Sequence, residues 1–236
     1  ELPAMTEDVP KRENLLLNLL FNIVIPTLIL IKFSGEAQLG PKLGIVVALS
    51  FPIFYGAKDY FRLHKINFFS ALGVFSVLMT GGMSLLEIDP KYIAIKEAAI
   101  PAAFGLATLI SLKTKYPLVR VFLFNDMVME TDKIHRALEQ RGAEQAFDRA
   151  LVVASGMLAG SFFLSSTLNY ILARVILVSA PGTETFNAEL GKMTALSFPV
   201  IALPAMMVMM AALFYLFRQI KLLTQLDLED ILRNTD

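Results

Sequence analysis

Ionisable side chains are scarce in the apolar stretches of this chain, so each one found there is informative. Lys96 and Glu97 stand one turn inside an apolar run that begins near Ile93, and Arg174 is flanked by apolar residues from Tyr170 to Leu177. Asp59 closes another run. A Glu97–Arg174 pair would neutralise two charges that are unfavourable in hydrocarbon. Intramembrane carboxylates serve as proton relays, which makes Glu97 the first candidate for a proton or substrate pathway. The alternative is that Lys96 and Arg174 extend their stems to the headgroups while Glu97 sits in water.

Three apolar stretches also carry polar residues at i, i+4 spacing, which places them on one helix face. They are Asn14, Asn18 and Asn22; Ser76, Thr80 and Ser84, beside Gly81 and Gly82; and Ser161, Ser165 and Asn169, preceded by Gly156 and Gly160. One reading is a polar pathway with Lys96, Glu97 and Arg174 at its mouth. The simpler reading is helix packing, in which small residues allow close approach and side-chain hydrogen bonds between helices contribute about 0.6 kcal/mol each.

The absences narrow the chemistry further. Cys is zero, which removes disulfides, thiolate metal sites and thiol catalysis, and the only histidines are His64 and His135. There is no Walker A, HExxH or GxSxG pattern. Asp227, Glu229 and Asp230 are close in sequence but belong to an amphipathic tail. Lys+Arg and Asp+Glu are both 21, so no excess of positive charge points to nucleic acid. No enzyme, cofactor or metal is expected.

The elements that must position these residues follow from composition. Hydrophobic residues make up 56% and charged residues 18%, with mean hydropathy +0.61, whereas soluble domains carry roughly 25% charged residues. The apolar residues fall in six runs, about 15–31, 43–60, 68–86, 93–112, 150–172 and 194–217. Each approaches the roughly 20 residues that a helix needs to cross a bilayer. The first follows Lys11 and Arg12 but lacks a small-residue cleavage site, so it is read as a retained span. With the N-terminus inside, 15 Lys and Arg fall in cytoplasmic segments and 6 in outer ones, which sets both termini in the cytoplasm. The expected fold is therefore all-α, a single transmembrane domain over 1–236 with six spans. Residues 125–149 are expected to form an amphipathic cytoplasmic loop helix, started by Asn125, Asp126 or Thr131 and interrupted at Gly142; residues 218–236 form an amphipathic tail. Prolines at 26, 52, 101, 199 and 204 predict kinks. Ile25-Pro26 and Ile100-Pro101 occupy comparable places, as do Val46-Val47-Ala48 and Val152-Val153-Ala154, which is compatible with a 3+3 inverted repeat.

Between residues 80 and 118 the chain reads Thr80-Gly81-Gly82-Met83-Ser84-Leu85, then Asp89, Tyr92-Ile93, Lys96, Ala102-Ala103-Phe104, Leu109-Ile110-Ser111 and Pro117-Leu118. This resembles the intracellular septation protein A family, the bacterial inner membrane-spanning protein family. Leu168-Asn169-Tyr170-Ile171-Leu172-Ala173 is a second match. Gly81, Gly82, Lys96 and Asn169 fit the family pattern; Glu97 and Arg174 lie outside it, and the fourth loop is longer here. The resemblance implies a multi-pass protein of the bacterial inner membrane with a non-enzymatic role in septation and the cell envelope. A small secondary transporter or lipid translocator, with a pathway between spans one, three and five, is the competing reading. Membrane lipids are the expected partners; a homodimer and a cytoplasmic or envelope protein partner are compatible with either reading.

Overall fold

The computed structural model describes residues 15–63, 68–114, 117–124 and 129–232. Asn14, Asn125 and Asp126 lie outside them. The described residues form helices and the turns between them, with one isolated antiparallel bridge between Met129 and Leu232. In chain order the helices are α1 (Leu15–Leu19), α2 (Ile25–Lys32), α3 (Gly40–Leu63), α4 (Phe68–Leu85), α5 (Pro90–Ser111), α6 (Leu118–Phe122), α7 (Thr131–Gln140), α8 (Glu144–Ile176), α9 (Glu184–Ser197), α10 (Leu203–Thr224) and α11 (Leu228–Ile231). Single π-helical turns, Leu20–Val24 and Phe198–Ala202, join α1 to α2 and α9 to α10.

All six predicted apolar runs are helical. Among the described residues, four helical segments are long and apolar enough to cross a membrane: Gly40–Lys58, Pro90–Ser111, Glu144–Ile176 and Glu184–Thr224. Leu20–Lys32 and Ala71–Leu85 are apolar but shorter.

The prolines act in two ways. Pro52 and Pro101 lie inside continuous α-helix. Pro26 and Pro204 each occupy the second position after a π turn, and Pro199 lies within one. A proline ring clashes with the carbonyl four residues back and offers no N–H to it. The widened turn relieves that clash: Ile25 N–H donates to Leu20 O, and Leu203 N–H to Phe198 O, each five residues back. Pro26 and Pro101, paired in the proposed repeat, therefore sit in different local backbones.

The chain divides into two compact units. The first comprises the residues up to Asp89 together with Ile176–Ala195. Here α9 approaches α2 through Gly191, where a Cβ atom would lie 3.0 Å from Leu30 Cβ and 3.2 Å from Thr27 O. Wholly buried Asn187, one turn earlier, donates from Nδ2 to Pro41 O at 2.7 Å and ties α9 to the start of α3. Phe21 stacks on Phe51 and Tyr55 of α3. The segment after Ile176 is closed by Glu189, whose carboxylate accepts from Val178 N, Ser179 N and Ser179 Oγ. The turn after α4 passes through Glu87 in the left-handed region (φ 55°), with Ile88 N donating to Met83 O.

The second unit comprises Pro90–Val175 and Leu196–Asp236. Within it α8 packs on α5 through Phe162 against Phe104, with ring centroids 5.5 Å apart, and through the close approach of Phe163 to Gly105. One end of this unit carries a continuous hydrophobic core. Ile134 and Leu138 of α7, Phe147 and Leu151 of α8, and Leu216 and Ile220 of α10 are all buried in it. Ile231 of α11 closes it from the C-terminal side.

The turn between α7 and α8 explains how the expected loop helix is divided. Gly142 adopts φ 60°. Ala143 N donates to Leu138 O and Gly142 N to Glu139 O, the paired bonds of a Schellman C-cap. Ala146 and Phe147 consequently belong to the long α8, and α7 is a separate ten-residue helix. Its apolar residues Ile134 and Leu138, one turn apart, face the core while Lys133, His135, Arg136 and Glu139 are exposed.

Candidate functional site

The residues nominated from the sequence fall into both units. In the first unit, Asn18 lies on α1 and Asn22 in the π turn that follows. Thr80 and Ser84 are buried on α4, where each hydroxyl donates one turn back: Thr80 Oγ1 to Ser76 O at 3.1 Å, and Ser84 Oγ to Thr80 O at 2.7 Å. The i, i+4 spacing that made a stripe in the sequence is the spacing that lets a hydroxyl satisfy its own helix carbonyl. Gly81 beside them is filled by Leu49 of α3.

In the second unit, Lys96 and Glu97 lie on α5 and Ser165, Asn169 and Arg174 on α8. Lys96 is only 8% exposed and pairs with the adjacent Glu97, Nζ to Oε1 2.7 Å. The cation that faces Glu97 is thus Lys96, whereas Arg174 is exposed in the last turn of α8. Pairing a buried ammonium with a carboxylate avoids leaving either charge uncompensated in a low dielectric. Asn169 Nδ2 donates to Ser165 O at 2.9 Å, repeating the back-bonded pattern of α4. Two other serines of α8 bond between helices. Ser161 Oγ donates to Ala205 O of α10, and Ser166 Oγ to Ala98 O of α5, at 2.7 and 2.8 Å. Ser166 lies outside the predicted stripe; only the neighbouring helix reveals its partner.

A cleft that the sequence did not indicate opens where α6, α7 and the start of α8 meet. It has a volume of about 310 Å³ and is lined by Arg120, His135, Leu138, Glu144, Phe147 and Asp148. α7 contributes His135 beside the buried Leu138, and α8 contributes Glu144 and Asp148, one turn apart, with buried Phe147 between them. Arg120 of α6 stands over the Phe124 ring, 5.9 Å from its centroid, a cation–π distance. The rings of Phe124 and Phe147 meet edge to face at 5.1 Å, and His135 lies edge-on to both. Arg120 Nη2 approaches Asp148 Oδ1 at 3.8 Å, the outer limit of an ion pair. No group of three or more His, Asp or Glu placed to hold a metal ion occurs among the described residues.

The signal for this cleft was partly present in the sequence. Glu144, Phe147 and Asp148 share a helix face by spacing. Arg120 and His135 come from separate elements, and only the packing of those elements brings them together.

Comparison of the chain with protein-family models, with curated proteins and with solved structures finds no match.

Proposed function

We propose that the chain is a non-enzymatic, six-span protein of the bacterial inner membrane that acts in septation and envelope maintenance, as the family it resembles does. The observation that supports this reading is the state of the polar groups in the apolar helices. Thr80, Ser84 and Asn169 bond to their own helices, and Ser161 and Ser166 bond to neighbouring ones. The bonds within a helix satisfy that helix's own carbonyls, and the two between helices fix one helix arrangement at modest energy. Loss of the gene in its host is expected to lengthen cells or misplace septa, with rescue by the intact chain; normal division and an intact envelope after deletion would refute the reading. The chain has no cysteine, so single-cysteine labelling tests the topology directly. Leu86→Cys should react from outside the cell and Glu139→Cys only after the membrane is opened.

The pair of buried Lys96 with half-buried Glu97 favours a second reading, a small secondary transporter or lipid translocator. Ionisable residues kept inside an apolar helix mark ion and substrate routes in many membrane proteins. In that case Glu97→Gln would abolish flux into proteoliposomes; unchanged flux would exclude Glu97 from the route.

A further inference from the structure

We propose that the cleft between α6, α7 and the start of α8 binds a phosphate-linked primary amine, the chemistry of a phosphoethanolamine headgroup. The phosphate would lie toward Arg120 and His135, and the ammonium toward Glu144 and Asp148.

The charges of the cleft select this class. One guanidinium faces two carboxylates. A simple anion is therefore disfavoured by net negative charge, and no three-ligand metal cluster occurs among the described residues. A ligand carrying both signs answers the whole set. The contact between Arg120 and Asp148 is long, 3.8 Å, so both groups keep hydrogen-bonding capacity. Guanidinium binds phosphate through two parallel N–H bonds. A primary ammonium offers three N–H donors to the carboxylates, and a quaternary ammonium offers none. Leu138, buried Phe147 and the neighbouring Phe124 ring back the cleft with apolar surface, which excludes water from one side of the ligand.

The depth of the cleft points to the same chemistry. α8 has 33 residues, about 50 Å at 1.5 Å per residue, well beyond the roughly 30 Å of a hydrocarbon core. Its apolar stretch begins at Ala150, so Glu144 and Asp148 stand in the turns just before it. Arg218 and Lys221, exposed on α10 next to the same core, mark a comparable boundary. Headgroups would occupy this level. This placement at headgroup depth, unlike the charges of the cleft, rests on the membrane reading.

The test uses the full-length protein purified in detergent, with ligand retention read by native mass spectrometry. Short-chain phosphatidylethanolamine, phosphatidylglycerol and phosphatidylcholine are compared with free phosphoethanolamine. The expected result is at least a tenfold preference for phosphatidylethanolamine over the other two lipids. The double variant Glu144→Gln/Asp148→Asn, whose sites are exposed, should erase that preference while α-helical content is unchanged. Arg120→Gln should weaken retention of both phosphatidylethanolamine and phosphatidylglycerol. Retention of free phosphoethanolamine would identify a soluble ligand of the same chemistry, and retention of the lipid alone would identify a headgroup site. Equal retention of all three lipids, or a preference that survives the double variant, would overturn the proposal. Release of the chain from membranes by alkaline carbonate would instead overturn the membrane reading and leave the free-ligand measurement to stand on its own.

Discussion

Within the second unit, the core-bearing end and the apolar lengths of α5, α8 and α10 are held together by different physics. At that end α7 is amphipathic, with Ile134 and Leu138 wholly buried beneath an exposed charged face. Such an arrangement draws its stability from removing apolar surface from water. Along the apolar lengths the outer faces are as hydrophobic as the contacts: Val152, Val153, Ile171 and Phe214 are all exposed. Hydrophobicity cannot decide which face packs there. Close approach and hydrogen bonding decide it, through Gly105 beneath Phe163 and the hydroxyls of Ser161 and Ser166. A residue's role therefore depends on which region it occupies: a large side chain is the fastener at one end and an obstruction at close helix crossings.

This contrast can be broken by exchanging the two kinds of change. Phe147→Ala empties the part of the core that lies beneath the cleft, where the residue is 2% exposed and its ring packs on Phe124. Such truncations cost about 3–5 kcal/mol. The expected outcome is selective loss of the α6–α7 end, seen as rapid proteolysis within residues 112–145 while the apolar helices stay protected. A uniform loss of protection would show that the two regions fold as one. The opposite change, Gly191→Leu in the first unit, adds bulk where a Cβ already meets Leu30 at 3.0 Å. Overpacking of this kind costs about 1–3 kcal/mol, to be read as a lower melting temperature in detergent. No change in melting would mean that α2 and α9 separate readily.

Sequence patterns reveal these two regions unequally. Helix positions could be read because long apolar runs have few alternatives in hydrocarbon, where every backbone group must bond within its own helix. The break at Gly142 could be read because a left-handed residue after an amphipathic run favours glycine. The partner of Glu97 could not. The sequence offered Arg174 as another charge in an apolar stretch, but the ammonium of the neighbouring Lys96 lies 2.7 Å from the Glu97 carboxylate, and residues adjacent in a helix do not ordinarily face each other. The π turns were equally hidden, since Pro101 keeps a regular helix and Pro26 does not. The cleft escaped because Arg120, His135 and Glu144 come from three elements whose packing no local pattern encodes.

Smaller effects sharpen the contrast. Gly142→Ala retains the turn but places a side chain at φ 60°, which costs roughly 1–2 kcal/mol; the loss should appear in the melting of the α6–α7 end. If the variant melts like the parent, the turn has an alternative conformation without strain. In the apolar lengths, Ser161→Ala removes one bond to Ala205 O and should cost about 0.6 kcal/mol. Removal of a comparable hydroxyl that bonds only within its own helix, Ser84→Ala, should cost less. Equal losses at both positions would show that bonding between helices adds nothing beyond local satisfaction.

The smallest effect lies where the tail meets α7. Lys133 Nζ donates to Asp230 Oδ1, and Glu130 N donates to Ile231 O beside it. The hydrogen bond and positive charge of Lys133 hold the Asp230 carboxyl below its ordinary value of 3.8. A group whose folded value is lowered stabilises fully above its unfolded value and loses that contribution as pH falls through the folded one. Parent and Asp230→Asn should therefore differ in melting temperature at neutral pH and converge as the pH drops below about 3.8. The difference should also shrink with added salt, because the pair is exposed and screened. A difference that persists at low pH would assign the effect to the shape of the turn rather than its charge, leaving Ile231 and the Met129–Leu232 bridge to hold the tail against the core.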